Sequence, residues 1–320
     1  MSPRIVYLTY PATEVAGGIK IAFRHVESLR AAGFDAATAS HGAKKPGWFE
    51  TSAPILDLDT QLPDDDILVF PENNYGFLRQ YSSRLNRKLV FCQNQYYVLS
   101  GLGGPGGQRD YADFGVTGIM SSSRSVAEFC RLRFPKMPSA LVPVGINQSL
   151  FTAIGKKKLQ IAFVPRKRQM EAGFIWDLFR AKNPEYADVP WRVLHSMPER
   201  QVAVILSESA VSLALCRYES LGMTILESML SGCVTAGFTG FGAREFTTAQ
   251  NGFWAEEDDC IQCADLLGRA VRLAATGGPD YTKMLGAARE SAAYYSNQMM
   301  NTGVVAFWKN YLAGTAFTES

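Results

Sequence analysis

Short runs of β-branched and aliphatic residues alternate along this chain with segments whose apolar positions recur every three or four residues. Residues 4–9 form an apolar run suited to a buried parallel strand. After a loop at 10–18, Ile19, Ala22, Phe23, Val26 and Leu29 fall at helical spacing, and Gly33 stops that helix. Residues 34–39 supply the next strand. Strand, glycine loop, helix and strand together open a doubly wound sheet. Further strands are expected at 66–70, 88–92, 119–123 and 140–144. Hydroxyl residues at the end of 119–123 cap a helix at 126–134. The stretch 101–107, with five glycines and Pro105, reads as a mobile loop.

A polar linker at 147–158 precedes a second round of alternation. Strands are expected at 159–164, 191–195, 211–215 and 233–236, with helices at 173–180, 198–207 and 224–230. Two helical stretches close the chain, at roughly 261–276 and 281–312. The pattern divides the chain into an N-terminal domain, 1–150, and a second domain, 151–297. Both read as α/β, Rossmann-like halves facing a central cleft. Ligands of open parallel sheets bind outside the carboxyl ends of the strands.

A chain of 320 residues with 47% hydrophobic and 19% charged residues has room for two ordinary globular cores. Its formal charge of +2 lacks the dense basic face of a nucleic-acid binder. Lys156, Lys157 and Lys158 read as solvated linker. Residues 1–9 read as a strand rather than a leader, and no segment reaches the roughly 18 apolar residues of a spanning helix. Cys92, Cys130, Cys216, Cys233, Cys260 and Cys263 sit mostly among apolar neighbours, as thiols of a reducing compartment do. Cys260 and Cys263 have the spacing of half a zinc site, but no second pair or nearby histidine completes one. Asp57 and Asp59, and Asp64, Asp65 and Asp66, read as turn residues. No metal or other cofactor is expected.

The densest chemistry lies at residues 213–229, where an apolar strand runs through a short polar loop into an apolar-periodic helix. Gly222 lets the backbone pass close to a ligand, and Thr224 is the expected helix cap. The helix start presents amides suited to an anion. Glu219 on the loop and Glu227 about one turn into the helix can both accept hydrogen bonds from vicinal hydroxyls. The alternative is two solvent-exposed glutamates flanking a core helix.

The spacing of Glu219 and Glu227 with Gly222 between them resembles the E-x7-E motif of retaining GT-B glycosyltransferases, the large family-four group. Other segments resemble that family in order. Gly17 and Gly18 match its N-terminal glycine loop, which contacts phosphate or acceptor. Pro143, Gly145, Ile146 and Asn147, followed by Phe151, match the segment that ends its first domain. Residues 161–166 match a strand whose arginine, here Arg166, meets the donor diphosphate with a planar, permanently charged fork. Gly240, Gly242 and Glu245 match a loop near the donor.

This resemblance implies a GT-B fold, with the last helix, about 298–320, returning to the first domain through Val304, Val305, Phe307, Trp308 and Tyr311. It implies that Glu227 binds the donor ribose and that Glu219 holds the transferred sugar. Ser220, Leu221, Gly222, Met223 and Thr224 would supply backbone contacts, with Gly242 and Glu245 also beside the donor. Glu219 and Arg166 become the catalytic candidates. Two departures stand out. The family's lysine is missing from 169–173, and Lys167 and Arg168 are the two candidates to replace its charge. The family's histidine is missing too; Gln93, Asn94 and Gln95 stand there, either as sugar or acceptor contacts or as strand-end caps. His25, His41 and His195 match no family position.

The implied activity is that of a hexosyltransferase (EC 2.4). Sugar passes with retention from a nucleoside-diphosphate sugar to a glycan, lipid-linked or small-molecule acceptor, as in surface-polysaccharide assembly. The leaving diphosphate takes the acceptor's proton, and no metal takes part. The setting is the cytoplasm, including peripheral contact with the inner face of the membrane. Two other readings use the same residues: a nucleotide-sugar epimerase or phosphorylase, and a non-catalytic sugar-binding protein with a degenerate site.

Overall fold

The computed structural model describes residues 3–104, 109–165 and 167–317. They form two compact units, Met1–Gly145 together with Gln298–Ser320, and Ile146–Asn297.

In the first unit, strands β1 (Ile5–Leu8), β2 (Ala36–Ser40), β3 (Ile55–Asp57), β4 (Ile67–Pro71), β5 (Arg87–Cys92), β6 (Val116–Ser121) and β7 (Ser139–Leu141) pair in parallel. Their order is β3-β2-β1-β4-β5-β6-β7. Strands covered on both faces need apolar side chains throughout, and Ile5, Val6, Tyr7 and Leu8 are all buried. Helix α1 (Gly17–Ala31) buries Ile19, Phe23, Val26 and Leu29 and ends before Gly33, whose φ of +88° suits glycine. The shorter helices are α2 (Tyr75–Tyr81), α3 (Val98–Gly101) and α4 (Arg124–Arg133). Ser123 caps α4 by accepting from the Val126 amide at 3.4 Å.

In the second unit, β8 (Lys158–Phe163), β9 (Trp191–Val193), β10 (Ser209–Leu215), β11 (Val234–Phe238) and β12 (Phe253–Ala255) form a parallel sheet in the order β12-β11-β10-β8-β9. Helices α5 (Gln169–Lys182), α6 (Glu199–Glu208), α7 (Met223–Leu230), α8 (Cys260–Thr276) and α9 (Gly278–Ala293) accompany it. Asp259 caps α8 by accepting from the Gln262 amide at 2.8 Å. All six cysteines are free, and all but Cys260 are buried.

Three differences from the sequence pattern have physical causes. The expected stretch 281–312 is two helices, α9 and α10 (Asn297–Leu312). The chain breaks between them, where Ser296 bridges Ile146 and the Tyr295 carbonyl accepts from the Ile146 amide. Gly101 is not part of a loose loop; it ends α3, buried so tightly that a side chain would strike the Glu72 carbonyl. Residues 105–107 lie outside the described residues. Strands β3 and β12 and helix α2 are too short to impose a period, so the pattern misses them.

Helix α10 packs in the first unit. Trp308 is fully buried, and its indole Nε1 donates to the Tyr7 hydroxyl at 3.1 Å. Asn301 Oδ1 accepts from the Ser28 hydroxyl on α1 at 2.6 Å.

Candidate functional site

In the second unit the chain leaves β8 for the edge strand β9 and returns to β10 on the other side of β8. The loops leaving β8 and β10 therefore diverge, which opens a ligand-binding crevice at their carboxyl ends. Lys167 follows β8 and Glu219 follows β10. Lys167 Nζ donates to the Tyr218 carbonyl at 3.0 Å and pairs with Glu219 Oε1 at 2.9 Å. Two predicted residues that lie far apart in sequence are thus tied across the crevice. Arg166 lies outside the described residues.

Arg168 corrects an expectation. It is not a second candidate for the missing family lysine, because its guanidinium is fully buried with its donors already taken. Nε donates to the Cys216 carbonyl at 3.1 Å, and the group pairs with Glu171, Asp258 and Glu257 while lying 4.3 Å from the Phe238 ring centroid. A buried cation needs such satisfaction, and withdrawing it toward a ligand would break all three of these pairs, leaving Glu171 and Asp258 to Arg217 alone. Arg168 is a strut beneath the loop. The hydrogen bond from Arg168 holds the Asp258 carboxyl below its usual range, against a small opposing effect of burial. Arg217, which the sequence reading left without a role, is one-third exposed beside Glu219 and pairs with Glu171 at 3.0 Å.

The loop into α7 is shaped by backbone strain and close packing. Tyr218, just before Glu219, has φ of +50°, which a non-glycine residue rarely adopts. Gly222 has φ of +80° and is itself the N-cap of α7, so the expected Thr224 cap is corrected. Thr224 sits at the second helical position, where its carbonyl accepts from Ser228 Oγ at 2.8 Å. Because the entry to the helix must turn left-handed, glycine displaces a capping side chain and no side chain closes the helix start. Met223 opens the helix, and Glu227 is its fifth residue, 8% exposed.

Ser220 and Leu221 are braced by the next loop. A side chain on Gly242 would overlap the Ser220 carbonyl and the Leu221 amide. Gly242→Ala is therefore expected to push the loop aside and lower stability by ~1–3 kcal/mol, the scale of overpacking. Urea unfolding of the variant beside the wild-type protein reads this directly, and an unchanged midpoint would show that the two loops do not brace each other. Glu245 Oε1 accepts from the Tyr295 hydroxyl at 2.9 Å, which anchors the same turn from the far end of the unit.

In the first unit the strand order reverses between β1 and β4. Gly17 and Gly18, expected to precede the helix, are its first two residues. The Gly18 carbonyl accepts from Gln93 Nε2 at 3.1 Å, joining the glycine loop to the residue after β5. Asn94 is a cap; its Oδ1 accepts from the Tyr96 amide at 3.1 Å to open a 3-10 turn at Gln95–Tyr97, and Gln95 is buried there. Gln93 thus reaches the glycine loop. Glu72, directly after β4, went unnoticed in the sequence; the available signal was a carboxylate placed straight after an apolar strand. Burial raises its pKa from 4.5 to about 7, against hydrogen bonds from its own amide and those of Gln93 and Asn94.

Two of the three histidines have partners of another kind. His25 is buried among Tyr7, Phe91 and the α1 core. His41 pairs with Asp59 at 2.8 Å on the surface. Among the described residues, no group of three or more His, Cys, Asp or Glu is placed to hold a metal ion. Among them, too, no helix is long and apolar enough to cross a membrane.

No family model matches the chain. An α-1,6-glucosyltransferase of Actinobacillus pleuropneumoniae serotype 7 is 25% identical over 243 residues, covering 74% of this chain and 73% of that protein. Among solved structures, a sucrose-phosphate synthase from Thermosynechococcus elongatus superposes with a TM-score of 0.72 at 14% identity, covering 98% of this chain and 100% of that one. HepE of Anabaena, in complex with UDP-glucose, gives 0.69 at 10% identity, with 96% and 99% covered. The chain has the GT-B fold.

Proposed function

We infer that the chain is a glycosyltransferase and propose that it transfers glucose, with retention and without a metal, from UDP-glucose to a glycan, lipid-linked or small-molecule acceptor. The observation that carries this reading is the Lys167–Glu219 pair at the switch point of the second sheet, set beside the left-handed Gly222 and the open start of α7. A diphosphate would find a cation and helix amides there, and sugar hydroxyls would find carboxylates. The α-1,6-glucosyltransferase relative and the HepE complex with UDP-glucose favour this donor.

In this scheme Glu227 binds ribose, Glu219 orients the sugar, and Lys167, Arg166 and the amides of residues 222–224 stabilise charge building on the leaving diphosphate. The diphosphate takes the acceptor's proton. Gly17, Gly18 and Gln93 belong to the acceptor side. The proposed setting is the cytoplasm, including the inner face of the membrane for a lipid-linked acceptor.

The test begins with UDP titration. Loss of a hydrogen bond to a charged group predicts ~10- to 100-fold weaker UDP binding by Glu227→Ala. Equal affinity in the two proteins overturns the donor site. Incubation with UDP-glucose should then yield an α-linked product, unaffected by EDTA. Formation of a sugar 1-phosphate that requires inorganic phosphate points instead to a phosphorylase, and an epimerised nucleotide sugar to an epimerase.

A further inference from the structure

The switch point of the first sheet holds a carboxyl group that the proposed transfer scheme does not use. Glu72 leaves the carboxyl end of β4 beside β1, where the strand order reverses. Its main chain is clamped: the Tyr111 hydroxyl donates to the Glu72 carbonyl at 2.7 Å, and Gly101 packs against the same oxygen. Its side chain is turned inward, 4% exposed, and accepts from the backbone amides of Gln93 and Asn94. Those amides begin the loop after β5. Gln93 in turn holds the Gly18 carbonyl at the start of α1, and Asn94 caps the following turn.

We propose that Glu72 is a positioning residue for the acceptor side of the site: its carboxyl fixes the Gln93 and Asn94 amides, and through them the Gln93–Gly18 contact that shapes the ligand-binding end of the first unit. The acceptor assignment rests on the glycosyl-transfer reading; the positioning does not. An ionised carboxylate accepts from both amides at once. A protonated one turns one oxygen into a donor and loosens that grip. The titratable groups that face Glu72 are Tyr10 from the loop after β1, with Glu14 beyond it, Cys92 on β5, Tyr111, and Cys130 on α4. None is a cation, and among the described residues Glu72 has no ion-pair partner. Ionisation near neutral pH thus makes the loop's hold sensitive to physiological acidity.

Hydrogen exchange of residues 87–98, corrected for intrinsic rates, tests the positioning between pH 5.5 and 8.5. In the wild-type protein, protection of the Gln93 and Asn94 amides should rise through pH 7. Glu72→Gln should lose that rise while keeping its fold, and Glu72→Ala should expose both amides throughout. Equal, pH-independent protection in all three proteins overturns the proposal. With UDP-glucose as donor and methyl α-glucoside as acceptor probe, Glu72→Gln should raise the acceptor KM about tenfold, as loss of a charged hydrogen-bond acceptor does. The donor KM should hold within about twofold. Equal changes in the two KM values reject the acceptor assignment. Absence of transfer to this probe by the wild-type protein rules out methyl α-glucoside as an acceptor and leaves the exchange result to decide the role of Glu72.

Discussion

Glu219→Gln is expected to slow sugar transfer about 100- to 1,000-fold, the usual cost of removing one group that stabilises a transition state. The substitution keeps the size of the side chain and removes only its charge. Glu219 is one-third exposed and paired with Lys167 at 2.9 Å, so stability should change by less than about 1 kcal/mol, as for other partly exposed pairs. The residue before it is held at φ of +50°, a conformation that costs on the order of 1 kcal/mol and persists at functional sites where it aims a neighbour. A group acting only in the transition state lowers kcat and kcat/KM together. Parallel losses with UDP affinity retained are therefore the expected result. An unchanged kcat removes Glu219 from the chemistry, and a rise in donor KM alone reduces it to a binding contact.

The second large effect is on stability of the first unit below neutral pH. Burial penalises the His25 imidazolium and lowers its pKa from 6.5 to about 3. Between those values the unfolded chain binds a proton that the folded chain refuses. His25 therefore withholds no stability above pH 6.5 and costs about 1.4 kcal/mol for each unit of acidification toward pH 3. Glu72 works the other way. Its folded pKa is raised to about 7 from 4.5, so its stabilising share is complete below pH 4.5 and about 3 kcal/mol is lost as pH rises through 7. From pH 4.5 to 6.5 the two slopes oppose each other, and the wild-type unit should show a shallow dependence there. Glu72→Gln should uncover the His25 slope, with stability rising by about 1.4 kcal/mol per pH unit. His25→Gln should uncover the falling slope of Glu72. Exchange of β1 amides that open only with the whole first unit reads each slope; the Gln93 and Asn94 amides follow the opposite sign, because their local opening leaves Glu72 buried and breaks only hydrogen bonds that favour its ionised form. A flat profile in both variants would show that neither group titrates abnormally in the fold.

The sequence by itself determined most of the longer strands and helices and which of their faces are apolar. Ile5–Leu8 and the apolar face of α1 follow from side-chain periodicity, because burial on one or both sides of an element leaves a period of its own. It also marked the Glu219–Glu227 run, since a strand, a glycine that must turn left-handed and an apolar helix lie within a few residues. Local capping was only partly legible. Ser123 closes α4 as its position suggests, whereas Gly222 takes the place expected of Thr224 because backbone conformation outweighs side-chain capping at that turn.

The tertiary structure alone decided which strands became neighbours. Strand order places the reversal between β8 and β10, and between β1 and β4, and thereby decides which loops can share a ligand. It separated Lys167 from Arg168, adjacent residues with the same charge, by sending one to Glu219 and the other into a buried set with Asp258, 90 positions away. It joined Gly18 to Gln93 across 75 positions and, among the described residues, left Glu72 without a cation. Periodicity reports what each element must bury, but electrostatic environment is set by groups distant in the chain, and packing alone brings those together.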